Sequence, residues 1–512
     1  MKTRVLLSLA LIFSAVCMNV KAIEPAKDTY SYPKQGDYNL SSDWLYSRTT
    51  GTYNITKDEE GNTVPPNFLL SLADDATVAS TVRGMAFWKG KLLFSSRLNG
   101  IPAIIIMNAV TGEVEKTLIL NAEGFTPADL TNPCNFIVVD AGDNVMVCNV
   151  MTQPSTTSKF HIWKIDMETG NGVKLVDALE SLDPDQTNLD RLDSFGVLGD
   201  VAGNASIWVA SSGPSTNMYR WHVKNGVVEE SPDIILMDFS IGFSSALAAS
   251  GTSTCLFPVA DDLVYLDGGS TYPTLMQITG DEDEGFEAKA IDGFYDLLDP
   301  TTPFPAVDDI TNPEKEFGMN PNHNGFAQFS IGDDHFFAMP IMTHGVAIGI
   351  DGNAFDDTPQ QSFRIYKYKD ENKITREAEI LWTFPAEGLA TREDRLVHQG
   401  NDYFFAEVAV DVQGDEAKIY IYSGGNGIGA YTIGAGETGI KSPKAAGVGI
   451  YSADKVVKFT ETVASAQIFS VTGQVIAKAS NANSVTIDMP GIYVVKATAA
   501  NGETVVSKVI IK

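Results

Sequence analysis

The stretch RGMAFWKGKLLFSSRLNGIPAIIIMNAVTGEVEKTL, residues 83–118, decides the fold. It contains four short apolar or alternating segments, of which Lys91–Ser96 and Ile101–Met107 are the most regular. Turn pairs at Lys89-Gly90 and Thr111-Gly112 separate the segments. Four consecutive strands joined by tight turns predict one antiparallel, blade-like sheet.

The third strand of this unit, with the turn that follows it, recurs along the chain. Copies begin at Phe160, Asn217 and Tyr272, and looser copies begin at Phe363 and Lys418. The turn glycines of the clear copies stand at Gly112, Gly170, Gly226 and Gly280. Glycine at this point of a hairpin predicts a backbone with positive φ. Helical periodicity is sustained almost nowhere in the chain.

Six such units predict an all-β chain whose residues 23–440 form a six-bladed β-propeller, a fold that protects sheet edges by radial repetition. A seventh blade stays open at this point, and so does a stack of β-sandwiches. We expect Ser42–Arg48 to supply a strand missing from the last unit. Such a strand would tie the N-terminal part of the chain to the far end of the propeller.

The remaining residues, 441–512, are richer in small and β-branched side chains. A hairpin over Ala466–Ile476, a strand over Val485–Val495 and a last strand over Val505–Lys512 predict a small Ig-like β-sandwich.

Three features of this C-terminal part carry a resemblance: the hairpin Phe469–Gln474, the segment Met489–Val495 and the final Lys512. Together they resemble the C-terminal sorting domains of proteins exported by the type IX (Por) system of Bacteroidetes. The match departs at Gly447–Tyr451, where that family often has a Pro-Asn-Pro-like start. The propeller part, through Arg83–Ala86 and the strand-and-turn repeats, resembles uncharacterised secreted propellers of gut and oral Bacteroidetes. These resemblances imply a secreted or cell-surface location and no particular activity.

The first 22 residues predict a signal peptide. A basic start at Lys2 precedes the apolar run Val5–Val16, and we expect cleavage after Ala22. The run is shorter than the ~20 residues of a membrane-spanning helix, and a buried N-terminal helix is the alternative. Cys17 raises the alternative of a lipoprotein, although Val16 stands where that signal takes a small residue. No later segment predicts a transmembrane helix. The periplasm is the alternative location if the C-terminal domain is not a working sorting signal.

The charge balance narrows the classes of partner. The formal net charge is −29, and removal of Lys2, Arg4 and Lys21 with the leader makes it −32. Such a surface repels nucleic acid and anionic membranes. It suits a monomer that meets neutral or cationic ligands, with a glycan or an extracellular or envelope protein as the expected partner.

Three cysteines remain after cleavage, which is too few for a disulfide framework. A hairpin centred on the turn Asp140–Asp143 would bring Cys134 and Cys148 opposite each other, where a disulfide is geometrically allowed in an oxidising compartment. Two buried free thiols are the alternative.

Histidines and acidic runs give only weak site candidates. His161 and His222 occupy related strand positions beside tryptophans, which indicates packing rather than metal binding. His323 lies on a loop and is the one candidate for a ligand contact. The acidic runs Asp281–Glu287 and Asp351–Asp357 lack the spacing of a calcium-binding loop, so we expect solvated loops, with calcium as the alternative cofactor.

No motif identifies an enzyme. The chain has no nucleophile elbow, no phosphate-binding loop and no histidine pair at metal-binding spacing. The main hypothesis is therefore a non-enzymatic binding protein, with no catalytic residue and no metal assigned. One alternative is a polysaccharide hydrolase or lyase, which predicts clustered carboxyl groups with a raised pKa in the propeller tunnel. Another is a structural envelope protein. The tryptophans are expected in the core rather than in a sugar site: Trp88, Trp163, Trp208, Trp221 and Trp382.

Overall fold

The computed structural model describes most of the chain, with gaps. The described residues are 24–52, 56–57, 63–64, 82–96, 102–122, 134–151, 159–178, 191–211, 217–238, 254–268, 271–292, 325–341, 361–369, 378–389, 406–424, 426–435, 450–453, 455–470, 475–487, 489–499 and 504–511. Within these ranges the regular structure is entirely β-strand.

The strands of the first three blades follow the N-terminal strands in chain order. The N-terminal strands are β1 (Tyr38–Ser47), β2 (Thr56–Lys57) and β3 (Thr63–Val64). Blade 1 comprises β4 (Val82–Trp88), β5 (Lys91–Ser96), β6 (Ala103–Asn108) and β7 (Val114–Ile119). After the short β8 (Asn121–Ala122), blade 2 comprises β9 (Phe136–Val139), β10 (Val145–Cys148), β11 (Phe160–Ile165) and β12 (Asn171–Ala178). Blade 3 comprises β13 (Gly196–Gly199), β14 (Ala205–Ala210), β15 (Asn217–Lys224), β16 (Val227–Val228) and β17 (Asp233–Asp238).

Three further blades complete the propeller. Blade 4 comprises β18 (Thr254–Ala260), β19 (Leu263–Gly268), β20 (Thr271–Asp281) and β21 (Gly285–Asp292). Blade 5 comprises β22 (Ala327–Ile331), β23 (Asp334–Ile341), β24 (Ser362–Tyr368) and β25 (Glu379–Phe384). Blade 6 takes β26 (Ala406–Gln413), β27 (Glu416–Ser423) and β28 (Gly427–Ala435) from this end of the chain.

The fourth strand of blade 6 is β1, which pairs with β28 in the order β1-β28-β27-β26. The expectation that Ser42–Arg48 completes the last blade is confirmed, with β1 as the outer strand. The side chains of β1 also contact the neighbouring blade, since Trp44 Nε1 donates a hydrogen bond to the carbonyl oxygen of Ala109 (3.0 Å). The ring is therefore closed by strand pairing between its two ends.

Six hydrophobic clusters lie between successive blades, and each draws buried side chains from both of its neighbours. The clusters join blade 1 to 2, 2 to 3, 3 to 4, 4 to 5, 5 to 6 and 6 back to 1. This circular arrangement confirms the six-bladed propeller over the stack of sandwiches. The outer strands of blades 3 and 4 also pair in parallel, β17 with β21, and β8 pairs in parallel with β12.

The turn glycines of the repeat have the predicted conformation. Gly112, Gly170, Gly226 and Gly280 have φ values of 73°, 76°, 77° and 95°. Close packing adds a second reason for glycine at all four sites, where an added Cβ would lie at most 3.0 Å from another atom. A Cβ at Gly112 would lie 2.9 Å from the Trp44 ring, and a Cβ at Gly170 would meet the carbonyl oxygen of Ile119 in blade 1.

The chain divides into two compact units, 1–434 and 435–512. The predicted boundary at residue 440 lies in 436–449, outside the described residues. The second unit contains β29 (Ile450–Ala453), β30 (Val456–Ser470), β31 (Val475–Thr486), β32 (Gly491–Thr498) and β33 (Thr504–Ile511). All its pairings are antiparallel, and the long β30 pairs with β29, β31 and β32 around its own apolar core.

The two ends of the propeller differ in their connections. We call turn face the end where the first strand of a blade turns into the second and the third into the fourth. We call belt face the opposite end, where the second strand leads to the third and each blade leads to the next.

Candidate functional site

A central channel of about 470 Å³ runs along the propeller axis. Its walls are formed by the first strands of all six blades, β4, β9, β13, β18, β22 and β26, and by the residues just before them. The side chains of the described lining are apolar except for Gln328 and Glu407. A volume of this size lies within the range of small-molecule sites.

The channel also exposes backbone polar groups. Each of the six innermost strands stands at the edge of its sheet and has a hydrogen-bonded neighbour on one side only. The N–H and C=O groups of an edge strand that point away from its neighbour remain unpaired by the sheet. The channel wall therefore alternates apolar side chains with backbone donors and acceptors.

A belt of buried polar side chains surrounds the belt-face end of this channel. We call polar belt the set Ser95, Asn135, Asp193, Ser194, Cys255, Asp267 and Glu407, each at most 3% exposed. These residues lie at or just before the start of a first strand, or at the end of a second strand. Both positions lie at the same end of a blade, because its first and second strands are antiparallel. Five of the six blades contribute to the belt.

Hydrogen bonds join the belt across blades 1, 2 and 3. Ser95 Oγ donates to the carbonyl oxygen of Asn135 (3.1 Å), and Asn135 Nδ2 donates to the carbonyl oxygen of Asp193 (2.7 Å). Arg191 donates to both carboxylate oxygens of Asp193, from Nε at 2.8 Å and from Nη2 at 3.1 Å. The charge of Asp193 is thus paired within its own segment, as a buried carboxylate requires.

Glu407 is the most unusual member of the belt. It is 3% exposed, and its Oε1 has no hydrogen-bond partner among the described residues. Burial, reinforced by the negative charge of Asp267, raises the pKa of Glu407 well above its ordinary value. Burial therefore favours the protonated form of the Glu407 carboxyl group, which can donate one hydrogen bond and accept others.

Cys255 lies beside this acid and is inert. Burial, with smaller contributions from the neighbouring carboxyl groups, raises the pKa of the Cys255 thiol well above its ordinary value, against a smaller opposite effect of a hydrogen bond with Ser194. A thiol with a raised pKa is a poor nucleophile, because the thiolate is the reactive form. This end of the channel therefore favours hydrogen bonding over nucleophilic chemistry.

Most of the sequence-predicted site residues do not belong to this site. His323 and the run 351–357 lie outside the described residues. The run Asp281–Glu287 forms a hairpin tip on the turn face, where the Asp281 carboxylate accepts hydrogen bonds from its own turn at Asp283 N and Glu284 N (both 2.9 Å). Within the described ranges, no group of three or more candidate side chains has the arrangement of a metal site.

The expectation that Cys134 and Cys148 face each other is wrong. The β9–β10 hairpin pairs Phe136 with Cys148, so its centre lies one residue later than predicted. Both thiols are free and buried. Cys134 Sγ donates to the carbonyl oxygen of Ala103 (3.3 Å), and Cys148 Sγ lies 3.7 Å from the carbonyl oxygen of Asp193. The two thiols therefore contact different carbonyl groups.

The histidines and tryptophans singled out by sequence lie mostly in packed surroundings. His161 is buried against Trp163, with ring centroids 5.1 Å apart. His222 Nε2 lies 2.9 Å from an Asp233 oxygen that also binds Arg220. Four of the five tryptophans are buried, namely Trp163, Trp208, Trp221 and Trp382, and the half-buried Trp88 donates to the Asp143 carbonyl oxygen.

Sequence reasoning missed Glu407 and Asp267. A signal for Glu407 was present, because it is the single charge in the apolar run Phe404–Val410. Asp267 follows the apolar segment Leu263–Leu266, which is a common place for a solvated strand end. Only the closed ring of blades brings these two positions close to each other and away from water.

None of the described residues forms a helix that could cross a bilayer. No protein family model matches the sequence. No curated protein matches it either.

Solved structures show likeness at low identity. A DUF4623 family protein from Bacteroides eggerthii has a TM-score of 0.45 and 11% identity, covering 78% of this chain and 87% of its own. Trypanosoma rangeli sialidase has a TM-score of 0.38 and 8% identity, covering 94% and 89%. BamB from Moraxella catarrhalis has a TM-score of 0.24 and 12% identity, covering 96% and 98%.

Proposed function

We propose that this protein is an exported, extracellular or cell-surface binding protein, and that its ligand, a glycan or a protein, contacts the belt face. One observation carries the proposal: buried polar side chains with unused hydrogen-bonding atoms concentrate at the belt-face end of the channel. Besides Glu407 Oε1, these atoms include Ser96 Oγ and Asn135 Oδ1, which have no hydrogen-bond partner among the described residues. Such atoms are rare in folded proteins and often mark functional positions.

The charge of the protein is compatible with neutral or cationic ligands. A net charge of −32 after leader removal opposes polyanions such as nucleic acid. The resemblance of the C-terminal domain to type IX sorting domains supports export. We expect neither a metal nor an organic cofactor to be needed for binding, and calcium is included in the test below.

A polysaccharide hydrolase or lyase is the second candidate, and Glu407 is the observation that favours it. A carboxyl group with a raised pKa beside another acid, Asp267, is the pattern expected of a general acid. Hydrolysis of glycosides also requires an ionised carboxylate across an open site. The apolar channel lining offers no such partner among the described residues, which supports binding over catalysis.

The test is a thermal-shift screen of residues 23–512 against plant, host and microbial glycans, with calcium or with a chelator. A ligand at 100 times its Kd stabilises the folded state by about 2.7 kcal/mol, so a shift in Tm is expected for at least one glycan. Product analysis on that glycan separates binding from hydrolysis. If Glu407 acts as a general acid, Glu407→Gln should lose the hydrolytic activity. If no glycan shifts the Tm, the glycan part of the proposal is wrong and a protein ligand is left.

A further inference from the structure

We propose that the central channel is itself a binding pocket and that it takes one uncharged, hydroxyl-bearing unit, such as a neutral sugar residue, whose hydroxyl hydrogen-bonds to Glu407. This inference rests on the proposed function, because it specifies the chemistry of a ligand that would bind at the belt-face end of the channel. It is carried by the channel geometry together with the unpartnered, buried oxygen of Glu407.

The channel wall offers contacts both for the C–H groups and for the hydroxyl groups of a sugar ring. Exposed or half-buried apolar side chains, among them Phe87, Phe257 and Val259, line the channel and can cover C–H groups. The edges of the six innermost strands present N–H donors and C=O acceptors. A hydroxyl group both donates and accepts, so it can use either kind of backbone group.

Glu407 provides the polar group to which a ligand hydroxyl would bind in the channel. Its Oε1 is buried without a hydrogen-bond partner among the described residues, although buried carboxyl oxygens are nearly always paired. A ligand hydroxyl that reaches this oxygen would supply the missing bond. Gln328, the other polar side chain of the described lining, offers an amide with donor and acceptor groups.

The electrostatic surroundings exclude charged ligands. A ligand carboxylate would face the negative charge of Asp267, which lies close enough to raise the pKa of Glu407. A ligand ammonium group would meet Glu407 as the one carboxyl group among the described lining side chains, and burial there disfavours the ionised form of that group. An uncharged ligand avoids both penalties.

The experiment measures binding to residues 23–512 by calorimetry with sugars that differ in charge but share a ring. The probes are glucose, galactose and N-acetylglucosamine as neutral sugars, glucosamine as the cation and glucuronate as the anion. We expect at least one neutral sugar to bind, and glucosamine and glucuronate to bind at least about tenfold more weakly, which corresponds to ~1.4 kcal/mol.

Two variants test the role of Glu407. Glu407→Gln keeps the shape and both a donor and an acceptor, so we expect affinity within about threefold of the wild type. Glu407→Leu removes both, so we expect a loss of about tenfold. Circular dichroism and the Tm of each variant show whether it folds, and the glutamine variant keeps the test decisive if the leucine variant does not.

Preference for glucosamine that disappears in Glu407→Gln would overturn the inference, because it would show an ionised Glu407. Preference for glucuronate, or no binding of any of these sugars, would overturn it as well. The proposed function fails separately. If a long glycan shifts the Tm of the wild type and of Glu407→Leu equally, the channel inference is wrong while binding at the belt face stands.

Discussion

The two faces of the propeller differ in how completely their buried polar groups are hydrogen-bonded. On the turn face, the carboxylate of Asp140 accepts hydrogen bonds from the backbone of Gly142 (2.9 Å) and Asn144 (2.8 Å) and, in the next blade, of Val201 (2.8 Å). On the belt face, Asn135 Oδ1 and Glu407 Oε1 are buried without hydrogen-bond partners among the described residues. The difference indicates that the turn face stabilises the ring, while the belt face retains buried polar groups that reduce stability.

The largest effect should come from breaking the turn face at Gly170. Gly170→Ala places a Cβ against the Ile119 carbonyl oxygen in a backbone with φ of 76°, so we expect a loss of about 3 kcal/mol in the free energy of unfolding. Gly90→Ala is the matched control, because Gly90 has the same φ and no atom within 4 Å of its added Cβ. It should cost only about 1 kcal/mol. Urea denaturation measures both, and equal losses would argue against the contact between blades.

On the belt face, the corresponding substitution should stabilise. Because the pKa of Glu407 is raised in the folded state, its contribution to stability is complete below its unfolded pKa of about 4.3 and is lost as the pH rises through the folded pKa. Glu407→Gln should therefore increase the free energy of unfolding at pH 8 by about 1 to 4 kcal/mol and have little effect near pH 4.

Urea denaturation across this pH range measures the effect, with the exposed Glu113→Gln on the turn face as the control. A glutamine variant that is less stable than the wild type at pH 8 would show that Glu407 is ionised and well paired in the folded protein.

His161 should give a pH effect of opposite sign. Burial, reinforced by Lys174 and opposed by Asp177, lowers the pKa of His161 to about 4. An Asp177 carboxylate oxygen lies only 3.2 Å from His161 Nδ1 and would raise the pKa. We expect the effect of burial on the pKa to dominate, because the imidazole is almost fully buried.

Stability should therefore be lost as the pH falls from about 6.5, the unfolded value, towards 4. Comparison of the unfolding free energy of His161→Gln with that of the wild type at pH 7.5 and 4.5 measures the effect. A wild type that loses no more stability than this variant over that interval would contradict the assignment.

The smallest effect should come from an exposed ion pair on the turn face. Lys89 Nζ lies 3.4 Å from an Asp143 oxygen, with both side chains more than half exposed. Such pairs contribute little because water screens them. Lys89→Met should leave the urea midpoint unchanged within error, and a clear loss would mean that the surface of the turn face contributes more than its backbone contacts suggest.

How much could be read from the chain is clearest at particular residues. The turn glycines were predicted correctly, because turn geometry is a local property. Ser42–Arg48 was also expected to supply a strand to the last blade, but only the tertiary structure decided that this strand is the outer one. The partner of Cys148 was placed two residues off, at Cys134 instead of Phe136, because the register of a hairpin depends on which turn residues pair. Asp267 gave no signal, since its burial comes from other blades. His323 stays a prediction.

The sequence by itself determined the four-strand repeat and the all-β character of both units, since these follow from periodicity and from glycine at positive φ. The tertiary structure decided between six blades and seven, because the pairing of β1 with β28 closes the ring. Only the tertiary structure decided that the first strands of six blades enclose an apolar channel with Glu407 and Asp267 at one end. The physical reason is that a pKa depends on solvent exclusion and on charges that lie close in space, and here both come from residues far apart in the chain.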